Sequence, residues 1–94
     1  MPFPKQEGRP FTKEGVEWLK PNQYGVYGLF RSDAWVYVGR GDIRTRLLDH
    51  LNGGNPRITR EKPTHYVAEV TSNDETREKQ LITELNPIAN QKVG

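Results

Sequence analysis

Five side chains in this 94-residue chain combine residue types suited to handling a phosphate: Tyr27, Tyr37, Arg46, His50 and Glu78. Phenols and an imidazole can move protons, a guanidinium fork matches phosphate oxygens, and a carboxylate can hold a cation. If the five converge on one patch, phosphodiester chemistry is the reaction class they suit.

Their positions on the predicted elements make convergence plausible on geometric grounds. Tyr27 lies in the run YGVYGLF (residues 24–30) and Tyr37 in WVYVG (residues 35–39), two short Val- and aromatic-rich segments that read as the arms of a β-hairpin. No Asn-Gly or Asp-Gly pair marks a two-residue turn, so Arg31-Ser32-Asp33 is predicted to form a three-residue loop. Phe30 then opposes Ala34, Tyr27 directly opposes Tyr37, and both phenols share a face. Val26, Phe30, Val36 and Val38 are left on the other face to build the core. Periodicity alone reads the two tyrosines as an aromatic cross-strand pair that stabilises the sheet.

A helix is predicted over residues 43–52, with Asp42 as N-cap and Gly53 as its stop. Ile43, Leu47 and Leu51, with Leu48 beside them, form its apolar stripe, while Arg46 and His50 at i and i+4 form a second line that reaches one point in space. A last helix, roughly residues 75–85, starts after Ser72-Asn73-Asp74 and stops before Pro87. Its apolar stripe of Leu81, Ile82 and Leu85 extends back onto Glu78. Two readings of Glu78 stay open: a charge near the helix start favoured by the macrodipole, or an inward carboxylate that needs a cation. Mg²⁺ suits a lone carboxylate, because it keeps most of its shell as water and substrate phosphate.

The rest of the chain is read more simply. Residues 1–11, with three prolines, form an extended or mobile N-terminal arm with little to bury, and residues 12–94 form a single domain. Thr12 caps a short helix reaching Lys20, with Val16, Leu19 and Trp18 as core. Residues 53–63 (GGNPRITREKP) read as a loop in which Arg57, Arg60 and Lys62 are solvated or clamp phosphate. Residues 65–70 are a third strand, and His65 a surface histidine. The order helix, strand, strand, helix, strand, helix indicates an α+β domain.

Composition sets outer limits. A net charge of +2 and a pI of about 9.0 permit nucleic acid as a partner without requiring it. The absence of cysteine removes disulfides and thiolate ligands and suits a reducing compartment. No segment approaches a membrane span, and the expectation is a soluble cytoplasmic protein.

Taken in order, the motifs resemble the GIY-YIG nuclease family. The hallmark pair stands as Gly25-Val26-Tyr27 and Tyr37-Val38-Gly39, nine residues apart, with Val for Ile in both. Arg46 follows Gly39 by seven positions and His50 follows by four more. Glu78-x-x-Leu81-Ile82, then Pro87 and Asn90, resembles the family's ending. Each tripeptide alone is weak, but the ordered set spans about residues 22–90.

The resemblance implies a small three-stranded antiparallel sheet flanked by helices, and hydrolysis of DNA phosphodiesters with one Mg²⁺ or Mn²⁺. It implies Tyr27 as general base, Tyr37 orienting water or sharing that role, and Arg46 on the transition-state charge. Glu78 would hold the metal, and His50 would hydrogen-bond the phosphate or a tyrosine. A metal and an arginine nearby are expected to lower the phenol pKa. Gly25, Gly39 and Asn90 would support the site, and Arg40, Arg57, Arg60 and Lys62 would bind nucleic acid. DNA is the expected partner, with RNA left open, and a homodimer or a targeting partner protein is compatible with so short a chain. The competing readings are a catalytically inactive nucleic-acid-binding module of the same fold and a protein-interaction domain with the tyrosines as core.

Overall fold

A computed structural model describes residues 3–91; the ends of both predicted segments, residues 1–2 and 92–94, lie outside them. The elements are β1 (Arg9–Pro10), α1 (Lys13–Glu17), β2 (Tyr24–Arg31), β3 (Ala34–Asp42), α2 (Ile43–Leu51), α3 (Pro56–Glu61), β4 (His65–Val70), α4 (Asp74–Leu85) and a 3₁₀ turn at Ile88–Asn90. The class is α+β, and the sheet is antiparallel throughout with strand order β1-β4-β2-β3. No helix among the described residues is long and apolar enough to cross a membrane.

Four strands replace the predicted three, because the arm docks. Arg9 and Pro10 pair with Tyr66 and His65, and the Gln6 side-chain amide bonds both backbone groups of Ala68, at 2.9 and 3.0 Å. Phe3, in an arm expected to have little to bury, is buried against Trp35 with ring centroids 5.6 Å apart. One aromatic in a proline-rich stretch is enough to anchor it, since burying a phenylalanine is worth about 1.5–3 kcal/mol.

The hairpin register differs from prediction in two ways that compensate. Arg31 pairs with Ala34, so the connection is the two-residue turn Ser32-Asp33, with Ser32 in the left-handed region (φ 41°). Tyr27 therefore lies opposite Gly39, not opposite Tyr37, whose partner is Leu29. The shorter turn alone would have sent Tyr37 to the opposite face. A bulge prevents this: Phe30 pairs with Trp35 and Leu29 with Tyr37, which leaves Val36 as the extra residue. Both phenols consequently remain on one face.

That face is itself a core. Val16, Tyr27, Leu29, Val36, Ile43, Leu47, Ile58, Tyr66 and Ala89 pack together on it. The second face buries Val26, Val38, Val67, Leu81 and Phe3, with Phe30, Trp35, Ile82 and Leu85 beside them. The expectation that Val26, Phe30, Val36 and Val38 alone build the core is thus corrected. Helices cover both sides of the sheet, and the bulge puts Val36 with the tyrosines.

Two local expectations also change. The segment predicted as a loop over 53–63 contains helix α3, with Pro56 at its first position and the Asn55 side chain accepting from Arg57 N at 3.0 Å. Ile58, its buried residue, is what a Gly- and Pro-rich composition conceals. Trp18 is 62 % exposed, not core, with the Arg9 guanidinium 3.2 Å above its ring. It follows Val16 by two residues, which on a helix turns it away from the buried side. The caps Thr12 and Asp42 and the stop at Gly53 (φ 84°) form as predicted.

Candidate active site

The site is assembled where α2 lies across the paired strands β2 and β3. Asp42 caps α2 directly at the end of β3, so Arg46 and His50, one turn apart, are delivered to the tyrosine face. Tyr27 Oη and His50 Nε2 are 2.7 Å apart, with both side chains buried. Tyr37 completes the cluster. Its ring centroid is 6.3 Å from that of Tyr27 and 5.3 Å from the His50 ring, which it meets edge-on at 70°.

The glycines of the two tripeptides make room for this arrangement. A Cβ on Gly39 would collide with the Oη and Cζ of Tyr27 and with Cε2 of Tyr37. The Tyr27 ring therefore lies across Gly39, and only hydrogen fits there. A Cβ on Gly25 would strike the backbone of β4 at Glu69–Thr71. Outside the cluster, Asn90 seals the β3 edge: its side chain accepts from Val38 N at 2.7 Å and donates to Val38 O at 3.0 Å.

Burial governs the electrostatics. Desolvation raises the Tyr27 pKa well above its usual 10.0, the Tyr37 charge adds to the rise, and the Arg46 guanidinium opposes it. Tyr37 is raised in the same direction by burial, then by Glu78, again against Arg46. At both phenols burial outweighs the lowering expected from the arginine, because their rings are packed into the core. Burial, with Arg46 second, lowers His50 to about 4. His50 is therefore neutral near pH 7 and its free lone pair is available as an acceptor. Its Nδ1 is buried with no hydrogen-bond partner.

Glu78 stands on α4, which packs on the opposite face of the sheet with Leu81. Burial raises its pKa, and the Arg40 guanidinium pulls it back down. Its charge is felt at both phenols, but its direct partner is Arg40, at 3.5 Å. Asp74, one turn earlier, lies 3.9 Å from the same guanidinium. Asp74 was not singled out from the sequence; its i, i+4 spacing to Glu78 was the available signal.

The predicted nucleic-acid contacts are divided by the fold. Arg40 turns toward α4, away from the tyrosines. Arg57 donates to Ile88 O at 3.4 Å, while Arg60 on α3 and Lys62 at its left-handed end (φ 52°) are exposed. Beside Arg46 and His50, an open cleft of about 300 Å³ is lined also by Asp49, Asn52 and Gly54. His65 is remote from the cluster, stacked on Phe30 with centroids 5.7 Å apart.

The structure is similar to the GIY-YIG N-terminal endonuclease domain of UvrC from Thermotoga maritima bound to its catalytic divalent cation, magnesium. The TM-score is 0.69 at 25% identity over 85% of this chain and all of that one. The chain has the GIY-YIG fold. Two tyrosine-to-phenylalanine point mutants of the same UvrC domain, each bound to the catalytic divalent cation, match equally well (TM-score 0.69), at 23% and 24% identity over 86% of this chain. Neither a protein-family model nor a curated protein sequence matches the chain.

Those structures raise the question of a metal in this domain. Among the described residues no three His, Cys, Asp or Glu side chains gather as ligands. What this domain offers is Glu78, partly buried, whose charge is balanced by one loosely placed arginine. A single carboxylate fits an ion that keeps water and phosphate oxygens in its shell, and does not fit a closed protein cage.

Proposed function

We propose that this GIY-YIG domain is a metal-dependent endonuclease that hydrolyses DNA phosphodiester bonds. The observation that carries the reading is the buried 2.7 Å hydrogen bond between Tyr27 Oη and His50 Nε2, one helical turn from Arg46. Any buried phenol needs an acceptor, as Tyr66 finds in Gly15 O; the acceptor of Tyr27 differs in being an imidazole, which can take up the proton.

The raised Tyr27 pKa keeps its hydroxyl protonated, so a standing phenolate is not the base. Neutral His50 instead accepts the Tyr27 proton at Nε2 while Tyr27 Oη takes a proton from the attacking water. The acceptor tautomer carries its own hydrogen on Nδ1. Tyr37 orients the water. Arg46 offers a fixed guanidinium fork to the charge that develops on phosphate oxygens. Glu78 would hold one Mg²⁺ or Mn²⁺, which when bound supplies Lewis acidity to the phosphate and the leaving oxygen. Gly25, Gly39 and Asn90 hold the strands that carry these groups, and Arg57, Arg60 and Lys62 would meet the phosphate backbone, while Arg40 stays with the carboxylates of α4.

In this reading residues 12–94 act as a single nuclease domain in a reducing, cytoplasmic setting, braced through Phe3, Gln6, Arg9 and Pro10 of the preceding arm. A homodimer or a targeting partner would supply substrate choice. The test is nicking of supercoiled DNA by the purified chain. Activity should appear with Mg²⁺ or Mn²⁺, vanish in EDTA and be lost in Glu78→Ala. Equal cleavage by wild type and Glu78→Ala would sink the assignment, and metal-dependent binding without cleavage would favour a non-catalytic module. RNA substrates in the same assay define the polymer.

A further inference from the structure

Glu78 already has a cation beside it. Arg40, on the edge strand β3 immediately after Gly39, directs Nε at Glu78 (3.5 Å) and Nη1 at Asp74 (3.9 Å). Both distances exceed the roughly 2.7–2.9 Å of a tight charge-assisted hydrogen bond. The guanidinium is thus shared loosely between two carboxylates one helical turn apart. The carboxylates are the more enclosed members, with side chains 25% and 23% exposed against 43% for Arg40. The arginine is the part able to move.

We propose that Arg40 is an exchangeable counter-ion: it neutralises Glu78 in the metal-free protein and passes to Asp74 when a divalent cation takes Glu78. This rests on the reading of Glu78 as the metal-holding carboxylate. Without a cation, Glu78 would be a partly buried charge with nothing to balance it, which the fold avoids by keeping Arg40 in reach. A fixed, well-formed pair would resist displacement; this one is long, half-exposed and already has a second acceptor. Arg40 is accordingly a positioning residue, and Asp74 acts through it.

The test is Mn²⁺ titration of the full chain without DNA, reading the free-ion signal by electron paramagnetic resonance. Removing the competitor in Arg40→Gln should tighten Mn²⁺ binding about two- to fivefold, the scale of an exposed ion pair. Asp74→Asn should weaken it, since Arg40 is then committed to Glu78, and should have a clearly smaller effect when Arg40→Gln is also present, the remainder being the direct field of Asp74 at Glu78. Unchanged affinity in Arg40→Gln overturns the exchange, and so does an equal effect of Asp74→Asn in both backgrounds, which would mean that Asp74 acts on the ion directly. Glu78→Gln separates the levels. If it abolishes binding while Arg40→Gln behaves as wild type, the exchange fails and the metal site stands. If binding survives Glu78→Gln, both fail.

Discussion

Tyr27 and Gly39 face each other across β2 and β3, and the phenol lies over the glycine where a side chain would otherwise stand. One relationship joins the two halves of the sequence motif: the tyrosine of the first tripeptide needs the glycine of the second. Gly39→Ala should therefore push Tyr27 away from His50. Overpacking of this kind costs about 1–3 kcal/mol. Urea denaturation should show that loss, and nicking should fall further than stability does. Wild-type stability in Gly39→Ala would refute the contact.

Tyr27→Phe separates the ring from its hydroxyl. The ring packing in the core is retained, but His50 Nε2 loses its partner, at a cost of about 1–3 kcal/mol for a buried polar group left unpaired. Loss of the proton route should lower nicking by about 10²-fold or more. A folded Tyr27→Phe with full activity would remove Tyr27 from the mechanism.

Acid should weaken the fold through His50. Its folded pKa is about 4 and its ordinary value is 6.5, so between these limits the unfolded chain binds more protons than the native one. Stability from this residue is complete above pH 6.5, declines as the pH falls toward 4 and is then exhausted. The full difference is at most ~3 kcal/mol. Urea midpoints for wild type and His50→Gln across that range check this: the mutant should lack the slope that the wild type shows. Parallel curves would mean that His50 is not held neutral.

Asn90 should behave as part of the sheet edge. Its amide satisfies both backbone groups of Val38, and Asn90→Ala leaves them without a protein partner, at about 1–3 kcal/mol. Hydrogen exchange at the Val38 amide should accelerate well beyond that of the neighbouring Gly39 amide in β3, because the opening is local. Uniform acceleration across the domain would point to a global effect instead.

Much of the site was legible because it is encoded in local periodicities. Period-two strands carried Tyr27 and Tyr37, and the i, i+4 spacing carried Arg46 and His50 on a helix whose cap and stop are written in Asp42 and Gly53. The α+β class followed from the order of those segments. Their register did not, because a turn at Ser32-Asp33 and a bulge at Val36 each shift the pairing by one residue, and the sequence marks neither. The two errors cancelled, which is why the phenols share a face although their cross-strand partners differ from those expected.

The sequence by itself determined which elements bear Tyr27, Tyr37, Arg46, His50 and Glu78, since propensity, capping and apolar spacing act over a few neighbours. Tertiary structure alone decided the protonation chemistry and the sharing of charges. Burial of Tyr27 under α2 raises its pKa, and the packing of α4 on the far face gives Glu78 to Arg40. Desolvation and charge pairing depend on atoms brought together from distant parts of the chain, and no local pattern records them.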